Sequence, residues 1–285
     1  MRDPRKFRLL TGLCLVLLLA LSACSAGYTA SNRLGPPVGR PDGLSVALTS
    51  EPANLDFTTT AGAAIPQTVM YNVYEGLVKI DQQGQIQPLL AKSSTISQDR
   101  TAYTFALQPG VKFSNGAAFT AANVKFSIER VKSPAWLSSL KKKMDVVTSV
   151  EVIDDLHVTV QLAKPSNAWL YDMGTLIGAM FDPASVDKLA SKAIGTGPFV
   201  ISQWNHRASI EMDARPDYWG SSAKVKHVSL RYFSDAVATT NALKSGDVDL
   251  VYNMQAPDMV QSSQQRQQVP GYPGQLHQQS HFVDE

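Results

Sequence analysis

The clearest pattern of apolar and polar positions runs from Thr101 to Val131. Tyr103, Phe105 and Leu107 alternate with Thr104, Ala106 and Gln108, the two-residue period of a strand that buries one face. Pro109-Gly110 turns the chain, since proline presets φ and glycine accepts a positive one. Val111-Lys112-Phe113 resumes the alternation and predicts a second short strand, ended by Ser114-Asn115-Gly116. Thr120 is placed as the N-cap of a helix whose apolar face carries Ala121, Val124, Ile128 and Val131. Asn123 at the third helical position is neither Glu nor Gln, so no capping box is expected. Nothing in this stretch is a catalytic set. It is a packing module.

The same reading extends in both directions. Leu44 to Leu48 alternates as a strand and leads into the loop Thr49-Ser50-Glu51-Pro52-Ala53-Asn54-Leu55-Asp56. Pro66 suits a first helical position, with Val69, Val73 and Leu77 on one face of the predicted helix. Val158, Val160 and Leu162 alternate with His157, Thr159 and Gln161 after an Asp154-Asp155 turn. His157 therefore belongs to a polar strand face, and the two aspartates are turn residues. Strands are predicted at Val200-Ile201, Gln203-Trp204, Ile210 to Met212 and Val228 to Tyr232. Asp235 then caps a helix carrying Val237, Thr240 and Leu243, which stops at Gly246 in the C′ position. Asp247 to Val251 returns as a strand. A strand–helix–strand order of this kind feeds a mixed sheet.

The N-terminus changes the picture. Arg2, Arg5, Lys6 and Arg8 precede the apolar run Leu9 to Leu21, which is short for a membrane-spanning helix and has the form of a signal peptide. Leu21-Ser22-Ala23-Cys24 resembles a bacterial lipobox, which implies cleavage of residues 1–23 and a diacylglycerol on Cys24. An ordinary secretory peptide is the alternative. Cys14 lies in the removed segment, so the mature chain has one thiol, and neither a disulfide nor a cysteine metal site is expected. Residues 24–43 are small, polar and rich in proline and glycine, the composition of a tether. Loss of residues 1–23 removes four basic side chains and one acidic one, turning the formal charge of +2 into about −1. Nucleic acid is not an expected partner. The basic run Lys141-Lys142-Lys143 reads as a solvated face.

Several motifs, in collinear order from Glu51 to about Met254, resemble extracytoplasmic solute-binding proteins of the peptide/nickel class, family 5. They are Glu51-Pro52 with Leu55-Asp56, Glu75-Gly76-Leu77-Val78, Pro88-Leu89-Leu90-Ala91, the Thr101 to Val131 module and Gly195-Thr196-Gly197-Pro198-Phe199. Arg215-Pro216-Asp217-Tyr218-Trp219 and Gly246-Asp247-Val248-Asp249-Leu250 complete the set, with arginine at 215 where the family usually has asparagine. The resemblance implies an α/β fold of the periplasmic-binding-protein-like class II, a mixed sheet flanked by helices. It implies an incomplete large lobe at 44–63 and 193–260, an inserted small α/β domain at 64–192 and a divergent tail at 261–285. Family members are about twice this length, and their second lobe corresponds to nothing in this sequence. The implied role is a monomeric, lipid-anchored receptor on the extracytoplasmic face of the cell membrane. It would capture an oligopeptide or similar small solute and deliver it to ABC permease subunits, with no cofactor. The alternative is a truncated lipoprotein fragment that has lost ligand binding.

Within that frame, Ser50 and Glu51 after the first strand and Tyr252 and Asn253 after the last are the candidate ligand contacts. Glu51 offers a charge for a cationic ligand group; a solvated loop carboxylate is the competing reading. Glu75 has no partner acid or histidine nearby in sequence and reads as structural. The two glycines at 195 and 197 allow unusual backbone angles, but a phosphate loop would need a third glycine in a strand–turn–helix setting. His277 and His281 are four apart, yet follow Pro273-Gly274 and lack a third ligand. No G-x-S-x-G, H-E-x-x-H or Ser/Lys pair supports a hydrolase, and the chain is not expected to be an enzyme.

Overall fold

The computed structural model describes residues 42–253. Cys24, the signal peptide, most of the tether, His277 and His281 lie outside the described residues. The described chain begins with β1 (Gly43–Leu48), α1 (Ala64–Val69) and a hairpin of β2 (Val78–Ile80) and β3 (Ile86–Pro88). Asp81 and Gly84, with φ of 74°, make the hairpin turn. Next come β4 (Ala91–Ile96), β5 (Ala102–Leu107), α2 (Ala121–Lys132), a short helix α3 (Ser138–Lys141), β6 (Val147–Asp154) and β7 (His157–Leu162). The chain continues through α4 (Asn167–Asp172), β8 (Phe199–Asn205), β9 (Ser209–Ala214), β10 (His227–Tyr232), α5 (Ala236–Ser245) and β11 (Leu250–Val251).

The alternating residues of the middle segment form an antiparallel sheet in the order β4-β5-β7-β6. Tyr103, Phe105 and Leu107 pair with a strand bearing Val158, Val160 and Leu162, and all six are buried. Each such side chain contributes about 1.5–3 kcal/mol through removal from water. Val124, Ile128 and Val131 of α2 are buried in the same core, and Trp169 of α4 lies 5.0 Å from Tyr103, ring to ring. His157 stays on the outside, paired with Asp154 at the turn.

Three expectations need correction here. The α2 N-terminus does carry a reciprocal cap: the Asn123 carboxamide accepts the Thr120 N–H at 2.8 Å, so asparagine fills the role of Glu or Gln. Val111 and Phe113 are buried, but the segment makes one bridge, Lys112 to Ala118, and no strand. The helix expected to run through Leu77 is α1, which ends at Val69 with Pro66 inside it and not at its start. Tyr71 takes a φ of 60° and turns the chain, so Val73 and Leu77 enter the core from a loop.

The second sheet is mixed, in the order β11-β1-β10-β9-β8. β1 lies parallel to both β10 and β11, while β10–β9 and β9–β8 are antiparallel. Two antiparallel steps give β8 the same direction as β1. Asp235 caps α5 by accepting the Ala238 N–H, and Gly246 closes it at φ of 79°. The buried face of α5 is Thr239, Thr240 and Ala242, whereas Val237 is exposed. The final strand is shorter than expected, Leu250–Val251 only. A single apolar cluster reaches from Leu48 and Leu230 through Tyr74 and Phe181 to Val160, so both sheets share one core.

Candidate functional site at the carboxyl end of the mixed sheet

Strand direction decides which loops meet. Because β1, β10, β11 and β8 run the same way, the residues that follow each of them gather at one end of the sheet. Phe233 N–H donates to the Leu48 carbonyl at 2.9 Å, Tyr252 N–H to Ala47 at 2.9 Å, and Tyr232 N–H to Ala208 at 3.0 Å. This brings together Ser50 and Glu51 after β1, the β8–β9 turn at 205–208, Phe233 and Ser234 after β10, and Tyr252 and Asn253 after β11. The carboxyl end of such a sheet, where neighbouring loops diverge, is the usual place for a ligand in open α/β folds.

Ser50, Tyr252 and Asn253 are exposed there, and Asn253 and Arg207 hold left-handed φ values of 56° and 64°. Glu51 is different. Its Oε1 accepts the Trp204 indole N–H at 2.8 Å and lies 3.1 Å from His206 Nδ1, and its Oε2 accepts the Arg207 N–H at 2.9 Å. Partial burial works against its charge, but the hydrogen bonds from Arg207, Trp204 and His206 prevail and hold its carboxyl below the usual range. The Trp204 and His206 rings lie side by side, 4.6 Å between centroids. Sequence reasoning did not single out Trp204, His206 or Arg207 as site residues. Only the strand order puts that turn beside Glu51.

A second polar centre lies inside the fold. Glu75 is 2 % exposed and accepts Thr196 Oγ1 at 2.9 Å, the Tyr218 hydroxyl at 2.7 Å and the Trp219 indole N–H at 3.0 Å. Burial first, then the neighbouring Glu75 charge and the bond to it, push the Tyr218 phenol well up. Arg215 is also buried and donates to the carbonyls of Lys112, Phe113, Gly195 and Gly197 as well as to Asp217. Its asparagine-like position in the motif thus holds a guanidinium whose donors face backbone oxygens of two other motifs. The glycines of the 195–199 segment have a different purpose from the expected one. Neither has a positive φ; a Cβ on Gly195 would come 1.9 Å from the Val73 carbonyl oxygen, and one on Gly197 would come 2.5 Å from that of Asn72. Close backbone approach explains both.

Among the described residues no group of three His, Cys, Asp or Glu side chains could hold a metal ion, and no helix is long and apolar enough to cross a membrane.

Comparison with known proteins agrees with the fold. The chain is 28% identical over 233 residues to the glutathione-binding protein GsiB of Pectobacterium atrosepticum, covering 80% of this chain and 45% of that protein. Helicobacter pylori DppA, solved in complex with the peptide STSA, superposes with a TM-score of 0.69 at 26% identity, over 77% of this chain and 48% of that one. Campylobacter jejuni NikZ, solved with Ni(L-His), gives 0.65 at 28% identity, over 73% and 42%. The chain therefore spans less than half the length of these relatives, which are solute-binding proteins of the class II periplasmic fold. The family model for the bacterial extracellular solute-binding proteins, family 5 Middle, matches residues 85–280, and the chain belongs to that family.

Proposed function

We propose that this chain captures a short peptide outside the membrane for an ABC importer, tethered by a lipid on Cys24. The observation that carries the reading is the convergence of four loop segments at the carboxyl end of the mixed sheet. Ser50, Tyr252 and Asn253 offer exposed polar groups there, which suit the polar backbone of a short peptide. Among the relatives, GsiB is a glutathione-binding protein and DppA was solved with the peptide STSA, and these two peptides are the first probes. The alternation of sheets supports an inserted small domain at 64–192 within a lobe formed by 44–63 and 193–260. Binding of this kind makes and breaks no covalent bonds.

A thermal melt of the full chain with and without glutathione or Ser-Thr-Ser-Ala tests the reading. A probe at a hundred times its Kd adds about 2.7 kcal/mol, which raises the midpoint by about 5 °C or more. A cooperative transition that neither peptide moves overturns the peptide reading. For the anchor, fatty-acid labelling of the expressed chain should be lost in C24S.

A further inference from the structure

We propose that Glu51 is a positioning residue of this site: its carboxylate fastens the 205–208 turn so that the Trp204–His206 ring pair stands as a wall of the ligand site. The proposal rests on the receptor reading above and refines it, because it takes Glu51 out of direct ligand contact. Three N–H groups already occupy the carboxylate, two on Oε1 and one on Oε2. An ionised carboxylate has about four acceptor positions, so little capacity is left for a ligand. The side chains also divide by exposure: Glu51 is 23% exposed and His206 75%. The acid lies behind and the imidazole in front. Arg207 in its left-handed conformation points its N–H at the carboxylate, a local arrangement whose cost the charge-assisted bonds offset. The ionisable side chains facing Glu51 are His206 from the turn and Tyr232 from β10, while Arg207 reaches it through its backbone N–H.

Two measurements on the full chain test this. In 15N-indole spectra, the Trp204 signal, identified by its absence in W204F, should move on acidification through the carboxylate range. In E51Q that movement should vanish, because glutamine keeps the shape but turns one acceptor into a donor. The Trp136 and Trp169 signals should stay in place in both. Titration with Ser-Thr-Ser-Ala should show E51Q and W204F each weakened by about tenfold, as for loss of a charge-assisted bond. The double variant should be no weaker than the worse single one, since both remove the same contact. Wild-type affinity in E51Q, losses that multiply in the double variant, or a Trp204 signal blind to Glu51 overturns the positioning role. A wild-type chain with the indole response intact that binds neither Ser-Thr-Ser-Ala nor glutathione overturns the receptor reading, and the wall role with it, while the contact itself stands.

Discussion

The two sheets of this molecule are held in different ways. The β4–β7 sheet and α2 come from one continuous stretch, and their packing is apolar, local and periodic. The mixed sheet draws β1 from one end of the described chain and β8 to β11 from the other, and its connecting loops are joined to one another and to loops outside the sheet by buried polar groups. Glu75 binds the 196 and 218–219 segments, and Arg215 binds 112–113 and 195–197. Apolar packing tolerates small changes of shape, because neighbours repack at modest cost. A carbonyl held against a neighbouring backbone, or a buried acceptor shared by three donors, has no such latitude. The difference predicts a gradient of sensitivity from one region to the other.

The steepest end of that gradient is Gly195. In G195A the new methyl overlaps the Val73 carbonyl, the backbone must separate, and a loss of more than about 4 kcal/mol is expected. Chemical denaturation should show a collapsed midpoint or no cooperative transition. Next comes E75A, which removes the acceptor of Thr196, Tyr218 and Trp219 together and should cost about 3 kcal/mol through buried donors left without partners. A loss below about 1 kcal/mol there would erase the proposed contrast between the regions. In the periodic region, I128V trims one methyl from a fully buried position and should cost about 1 kcal/mol. The smallest effect is on acid stability. Glu51 and Asp182 have folded-state pKa values held below the ordinary range. In each case burial opposes this and hydrogen bonds prevail, for Asp182 from Ser185, Asn115 and Ala184. Their contribution is complete above the unfolded carboxylate pKa of about 4 and is lost as pH falls through the lower folded values. Melts from pH 7 to pH 3 should therefore show a decline on the acid side that is shallower in E51Q.

Legibility in the sequence follows the same division. The alternation of Tyr103, Phe105 and Leu107, the α2 face and the Gly246 stop depend on neighbours a few residues away, and all appear in the structure. Val73 and Leu77 are buried, but their helical spacing misleads, because Tyr71 leaves the helical region and nothing in its side chain announces that. The purpose of Gly195 depends on a carbonyl more than a hundred positions earlier. Glu51 meets Trp204 and His206 only through strand order, and no spacing rule within the loop reports it. Ser50, Glu51, Tyr252 and Asn253 were nameable as strand-end residues. Which of them faces inward was not.

The pairing of β1 also has a kinetic consequence. Gly43 to Leu48 lies between His227 to Tyr232 and Leu250 to Val251, parallel to both. The first described strand to emerge from the ribosome or an export channel is thus among the last to acquire its neighbours. Until β10 arrives, both of its edges are open, and closing so large a loop is slow because its entropy is lost before the contacts are gained. The β4–β7 sheet has no such wait. The chain should therefore fold in two unequal phases, a fast one that completes the β4–β7 sheet and a slow one that seats β1, with the interval between them as its period of greatest exposure to misassociation.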